Sequence, residues 1–304
     1  MVCQDYRQRI KELKEEKGAV ILAHYYQLPE VQDIADYVGD SFALSRLAAQ
    51  LPNPVLVFCG VRFMAETAKL LSRDKRVLLP VSDAGCPMAD MVTEKDVWAL
   101  KMQHPEAAVV TYVNSSTEVK ALSDICCTSS NAVKIVKSLP NQKIIFLPDE
   151  NLGSFVAGMV PEKEFILFNG FCPVHEEVMA IDVALAKAEH PGALFAAHPE
   201  CRPEVRHLAD FVGSTSQMID FVLQSEHRNF IIGTEEGIHH PILKANPDKS
   251  VVSLTKNFVC ANMKKTRLVH VYESLLNESE EILIDESLAA RASLPLVRML
   301  EASA

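Results

Sequence analysis

The chain aligns with itself three times. A-V-I-L-A-H-Y-Y from Ala19, A-V-V-T-Y-V-N from Ala108 and A-L-F-A-A-H-P-E from Ala193 lead, after 67, 64 and 67 residues, to Cys86, Cys172 and Cys260. A repeat of about 85 residues is small for a free-standing domain, so the units must bury surface against one another. The expected units are 1–86, 87–172 and 173–304. The last includes a stretch from Arg267 to Asn277 that resembles the opening of each repeat and is expected to dock back on the first unit. If similar units pack around a common axis, equivalent positions converge on it. Three thiols far apart in sequence then meet at one point, a metal site assembled by architecture.

Within each unit the pattern is α/β. A helical stretch (6–17, 94–104, 176–189) precedes a short apolar strand (19–23, 108–112, 193–197). A loop then leads to apolar residues at i, i+3, i+4 and i+7: Val31, Ile34, Ala35, Val38; Val119, Leu122, Ser123, Cys126; Val205, Leu208, Ala209, Val212. That spacing predicts one buried helix face. Gly39-Asp40-Ser41, Cys127-Thr128-Ser129 and Gly213-Ser214-Thr215 read as a helix stop joined to the N-cap of another helix. Second strands (55–58, 144–147, 230–232) and third strands (77–79, 165–168, 251–254) follow, and each repeat cysteine lies a few residues past the third. Strands alternating with helices imply short parallel sheets covered on both faces. The fold class expected is therefore three pseudo-threefold-related α/β/α units around a central site, located beyond the carboxyl ends of the strands.

Composition narrows the function. The 304 residues are 48% apolar, with 40 acidic against 30 basic residues. No basic cluster resembles a phosphate-backbone footprint, which argues against nucleic acid. No apolar run approaches a membrane span, and the N-terminus reads as a charged amphipathic helix, with Lys11 to Lys17 a solvated face. A cytoplasmic location is expected, where eight cysteines are ligands, catalytic groups or buried small residues rather than disulfides.

Among those eight, Cys126 stands where Val38 and Val212 stand, a core position, and Cys127 replaces a helix-stop glycine. Cys3 has no repeat equivalent. Cys59 ends a strand at the site edge, and Cys201 beside His198 and Glu200 offers a nucleophilic Cys–His pair as an alternative. Zinc usually draws on paired C-x-x-C ligands, and none is present. Three thiolates with an open fourth position suit an iron–sulfur cluster better, and the open iron is a Lewis acid of the kind metal-assisted dehydration uses.

Ser41, Ser129 and Thr215 occupy one equivalent position at expected helix starts, where hydroxyl and free N–H groups hold phosphate or carboxylate, or simply cap the helix. His24, Tyr26, Tyr112, Asn114, His198 and Glu200 follow the first strands of the three units. A histidine or carboxylate there is a plausible proton carrier, and a tyrosine can donate to a developing oxyanion. Glu235, Glu236, His239 and His240 read equally well as a solvated loop.

The phrases A-H-Y-Y-Q, G-D-S, V-R-F-M-A-E-T-A, D-A-G-C-P-M-A-D-M, T-Y-V-N, C-C-T-S-S-N, P-D-E-N-L-G, H-P-E-C, V-G-S-T-S-Q-M and T-E-E-G-I closely resemble the quinolinate synthase family of NAD biosynthesis, from about Ala23 to Met263. The resemblance implies a [4Fe–4S] cluster on Cys86, Cys172 and Cys260. It also implies condensation of iminoaspartate with dihydroxyacetone phosphate to quinolinate, with loss of phosphate and water. Iminoaspartate would be supplied by a partner aspartate oxidase or dehydrogenase. Carried over by motif, His24 and Tyr26 contact substrate, Tyr112 and Asn114 position it near the open iron, His198 binds it and Glu200 is the main general base. Ser41, Ser129, Ser214 and Thr215 hold its anionic groups. Some members place the third ligand in C-x-x-C-x-x-C. Here Asn257 and Met263 flank Cys260, which leaves it the sole candidate and removes a local disulfide switch. The alternatives on residues alone are an aconitase-like hydro-lyase and a non-enzymatic iron–sulfur redox sensor.

Overall fold

Runs such as Ala19–His24 and Val55–Cys59 are apolar at nearly every position rather than alternating, the signature of a parallel strand buried on both faces. The computed structural model describes residues 5–256 and 258–304, so Cys3 and Asn257 lie outside the described residues. The first unit runs α1 (Tyr6–Lys17), β1 (Ala19–His24), α2 (Pro29–Ile34), β2 (Tyr37–Gly39), α3 (Ser41–Gln50), β3 (Val55–Cys59), α4 (Arg62–Leu71) and β4 (Arg76–Leu78). The second runs α5 (Glu94–Gln103), β5 (Ala108–Tyr112), α6 (Thr117–Ala121), β6 (Ile125–Cys127), α7 (Ala132–Ser138), β7 (Lys143–Leu147), α8 (Glu150–Met159) and β8 (Glu164–Leu167). The third inserts a short α9 (Pro173–Glu176) before α10 (Ala180–Glu189). It continues with β9 (Leu194–Ala197), α11 (Pro203–Arg206), β10 (Phe211–Val212), α12 (Thr215–Gln224), β11 (Asn229–Gly233), a 3₁₀ turn at Glu236–Ile238, α13 (His239–Ala245) and β12 (Ser250–Ser253). Two helices follow, α14 (Leu268–Asn277) and α15 (Glu286–Ser303).

Each unit has one four-stranded parallel sheet of the same order: β2-β1-β3-β4, β6-β5-β7-β8 and β10-β9-β11-β12. The expectation of three parallel-sheet α/β/α units holds. The expectation of three strands per sheet does not, because a fourth forms at one edge. Val38, Cys126 and Val212, placed by helical periodicity on a long helix, lie instead on β2, β6 and β10, since the preceding helices stop at Ile34, Ala121 and Arg206. The cause is an aspartate in each unit. Asp36 Oδ2 accepts the Ile21 N–H at 2.8 Å, Asp124 Oδ2 that of Val109 at 2.7 Å and Asp210 Oδ2 that of Phe195 at 2.7 Å. These bonds pull the chain alongside the central strand. Likewise, 176–189 is no single helix: it breaks between α9 and α10.

A lysine closes the far end of each unit. The Nζ atoms of Lys75, Lys163 and Lys249 donate to carbonyls just past α3, α7 and α12, among them Leu51, Asn141 and His227, which satisfies acceptors a helix end leaves free. α14 packs on α1, with Tyr6 and Tyr272 rings 5.4 Å apart and Val271 and Leu275 in one cluster with Ile10 and Leu13. Ala289, Ala292, Leu296 and Met299 of α15 share an apolar cluster with Ala68 of the first unit and Cys126 and Ala132 of the second. No helix among the described residues is long and apolar enough to cross a membrane.

Candidate active site

The strand ends of all three units open onto one cavity of about 250 Å³. His24 ends β1, Tyr112 ends β5, and His198 follows β9. Cys86, Cys172 and Cys260 line the same cavity, one from each unit, each half-buried and free. Every site residue expected from sequence lines it except Ser214. Ser214 is fully buried and is itself the N-cap of α12, accepting the Gln217 N–H. The cap expectations shift elsewhere too. Asp40 rather than Ser41 caps α3, and Asn131 rather than Ser129 precedes α7, so the Ser41, Ser129 and Thr215 hydroxyls remain on the cavity wall.

The other thiols separate cleanly. Cys59, Cys126, Cys127 and Cys201 are buried and do not line the cavity. Cys201 donates to the Gly233 carbonyl at 3.3 Å rather than pairing with a histidine. Burial pushes the Cys59 and Cys126 thiols up to about 12, which leaves them inert. Burial also raises the three cavity thiols, Cys86 to about 12. Opposing that, each sulfur faces backbone N–H groups of the turn that follows: Met88 and Ala89 for Cys86, His175 for Cys172, Asn262 and Met263 for Cys260. Such sulfurs become thiolates when a metal takes the protons' place.

Glu200 is the hub of the polar groups. Its carboxylate is buried, accepts from Tyr112 Oη at 2.6 Å and lies 2.9 Å from His175 Nδ1. Burial pushes this acid up, but His198, His175 and the Tyr112 hydroxyl outweigh it and hold it down to about 2. His175 Nε2 is 2.9 Å from Thr234 Oγ1, which is 2.6 Å from Tyr26 Oη, itself 3.0 Å from Thr215 Oγ1. Carboxylate, imidazole and hydroxyl in that order form the chain that lets a hydroxyl lose and regain a proton. Burial, with Glu200 nearby, raises Tyr26 and Tyr112, so both hydroxyls keep their protons at neutral pH.

His24 and His198 are built alike. His24 Nδ1 accepts the Tyr26 N–H at 3.1 Å and His198 Nδ1 accepts the Glu200 N–H at 3.3 Å. Burial pushes them down to about 3 and about 4. Both rings are neutral and carry their proton on Nε2; that of His198 lies 3.2 Å from Ser129 Oγ. Asn114 lines the cavity, and its Oδ1 is buried without a partner among the described residues.

Comparison with known proteins agrees along the whole chain. The family model described as quinolinate synthetase A protein matches residues 8–301. The chain belongs to the quinolinate synthase family. It is 54% identical over 303 residues to the quinolinate synthase of Caldicellulosiruptor saccharolyticus, covering 100% of both chains. It is 56% identical over 295 residues to that of Caldicellulosiruptor bescii, covering 97% of each. Over 288 residues it is 54% identical to that of Clostridium perfringens, spanning 95% of this chain and 96% of the relative.

Sequence reasoning about this quinolinate synthase family member passed over three residues. His175 sits one helical turn after Cys172, and the i+3 spacing in C-P-V-H was the available signal. Thr234 ends β11. Glu235, read as part of a solvated loop, is fully buried, lines the cavity and pairs with Lys264 at 2.8 Å, while His240 meets Asp33 on the surface. Ligand atoms of Cys172, His175 and Glu200 lie within 4.8 Å of one another and can hold a metal ion.

Proposed function

We propose that this chain condenses iminoaspartate with dihydroxyacetone phosphate to quinolinate in this cavity, releasing phosphate and water, as a cytoplasmic enzyme whose [4Fe–4S] cluster is held by Cys86, Cys172 and Cys260. The observation that carries the proposal is one free, half-buried cysteine from each unit on a single cavity wall. The donor set fits the group: three sulfurs, each facing backbone N–H groups, and no fourth cysteine on the wall among the described residues. When bound, the cluster would supply a Lewis acid.

The chain's own groups divide the remaining work. Glu200, ionised at neutral pH, is the general base, with its charge held by Tyr112 and His175. Tyr26 is the proton donor fed through Thr234 and His175. Neutral His24 and His198 donate Nε2–H to substrate oxygens without competing for the proton. Asn114 Oδ1 accepts from the substrate nitrogen. Ser41, Ser129 and Thr215, with Ser214 holding the start of α12, bind the phosphate and carboxylates. Pro87, Val61 and Phe63 in the wall limit water near the reacting carbons.

Iron and sulfide assay of anaerobically purified protein tests this. About four irons per chain are expected, against one for a single ion at Cys172, His175 and Glu200. Cys260→Ala should abolish the cluster and Cys126→Ala should spare it. Iron-free protein that still makes quinolinate overturns the proposal.

A further inference from the structure

The three cysteine loops share one backbone bond. In each unit a backbone N–H past the second long strand donates to the carbonyl two residues before the cysteine: Arg62 to Ala84 at 2.8 Å, Glu150 to Gly170 at 2.8 Å, Glu236 to Phe258 at 3.0 Å. The residues just before those donors, Val61, Asp149 and Glu235, are therefore structurally equivalent. Asp149 Oδ2 accepts the Cys172 N–H at 3.1 Å while its Oδ1 caps α8 through Leu152 N–H at 2.6 Å. Glu235 Oε1 accepts the Cys260 N–H at 3.2 Å while its Oε2 takes the Gly237 N–H at 2.7 Å. Both carboxyls are fully buried. Each therefore ties a cysteine's main chain to a rigid strand end. Val61 is as deeply buried and has no acceptor to offer, and among the described residues nothing accepts the Cys86 N–H.

We propose, resting on the cluster reading above, that Asp149 and Glu235 are positioning residues that hold Cys172 and Cys260 as pre-set cluster ligands, and that Cys86, without such an anchor, is the ligand that detaches first. Groups hydrogen-bonded behind a ligand keep it oriented, and their loss typically weakens metal binding about 10- to 100-fold. The asymmetry is not one of access, because all three cysteines are half-buried. Between Cys86 and Cys260 it is not a difference in what the sulfur meets either, since each faces N–H groups of its own following turn, whereas Cys172 Sγ has in addition His175 Nδ1 at 3.2 Å. It lies in the main chain behind the sulfur.

The test uses the full chain loaded with iron and sulfide anaerobically. An iron chelator and a thiol-alkylating agent are added together, aliquots are quenched over time, and labelling at each cysteine is read by mass spectrometry. Cys86 should be labelled ahead of Cys172 and Cys260. Asp149→Ala should bring Cys172 labelling forward by about 10-fold or more while leaving Cys260 behind, and Glu235→Ala should do the reverse. A role confined to general stability would speed all three sites together. Should either variant fail to fold, the labelling order in the unmutated chain still decides. Simultaneous labelling there, or Cys172 or Cys260 first, overturns the proposal. A preparation that takes up no iron refutes the cluster reading itself, and this proposal with it.

Discussion

Gly237 is where the third unit touches the first beside the cavity, and Gly237→Ala should separate the two. A methyl built on Gly237 would lie 2.7 Å from Tyr26 Cα and 2.8 Å from Glu235 Oε2, and closer still to the Tyr25 carbonyl oxygen. Two of these neighbours are main chain, so no side-chain rotation relieves the clash. Carbon atoms pack at about 3.5–4.0 Å, which requires the Tyr25–Tyr26 turn to retreat by about 1 Å. Overpacking of this kind costs about 1–3 kcal/mol, a drop of a few degrees in Tm for a chain of this size. The retreat also strains Tyr26 Oη against Thr215 and Thr234 and the Lys264 bond to the Tyr26 carbonyl. A displacement of about 1 Å at a reacting group costs about 100-fold in rate. The control is Gly158→Ala, an exposed position in α8 where an added methyl meets nothing within 4 Å. It should stabilise by about 0.4–1 kcal/mol and leave turnover unchanged. Thermal melts and anaerobic quinolinate formation read both. Wild-type turnover and Tm in Gly237→Ala would refute the claim that this contact sets the position of Tyr26.

Three further outcomes follow from the same geometry. Glu200→Gln keeps the shape and one acceptor but removes the proposed base, so kcat should fall about 10²- to 10⁴-fold with the fold intact by circular dichroism; retention of more than a tenth of the activity would rule Glu200 out as base. Arg206 is buried and donates to the carbonyls of Asn151 and Pro199 and to Ser154 Oγ, joining the second unit to the third beside Glu200. Arg206→Leu leaves these acceptors unpaired and should cost about 2–4 kcal/mol in a denaturant melt, whereas a loss under about 0.5 kcal/mol would mean the carbonyls find water. His24 and His198 are held neutral in the fold, at about 3 and about 4, against about 6.5 when unfolded. Between those values the unfolded chain binds more protons, so their contribution is complete above about pH 6.5 and fades as pH falls toward 4. The Tm of cluster-free protein should drop from pH 7 to pH 5, less so in His24→Asn, and a flat profile contradicts buried neutral histidines.

What a local pattern determines was legible before any coordinates. Apolar runs marked three of the four strands of every sheet, and the threefold repeat placed Cys86, Cys172 and Cys260 at equivalent ends that line one cavity. What escaped depends on partners far away in sequence. β2, β6 and β10 are two or three residues long, too short for a period. Their existence depends on Asp36, Asp124 and Asp210 bonding to a strand 15 positions earlier, so their apolar residues read as one more turn of the preceding helix. Glu235 beside Glu236 and Gly237 looks solvated until Lys264, 29 positions later, supplies the counter-charge that lets it be buried.

His175 shows why the relay was harder to see than the thiols. A repeat exposes what all three units share, and the cysteines are shared. The Glu200–His175–Thr234–Tyr26 chain has no threefold counterpart: its four residues come from a helical turn and two strand ends in the third unit and one loop in the first. The same distinction applies to the cysteine loops, where equivalence through the backbone bonds of Arg62, Glu150 and Glu236 makes the one substitution, valine for a carboxylate, stand out. In this fold the symmetric positions bring the three thiols together, and the departures from symmetry are where the carboxylate–imidazole–hydroxyl chain and the unequal main-chain bonding behind the thiols lie.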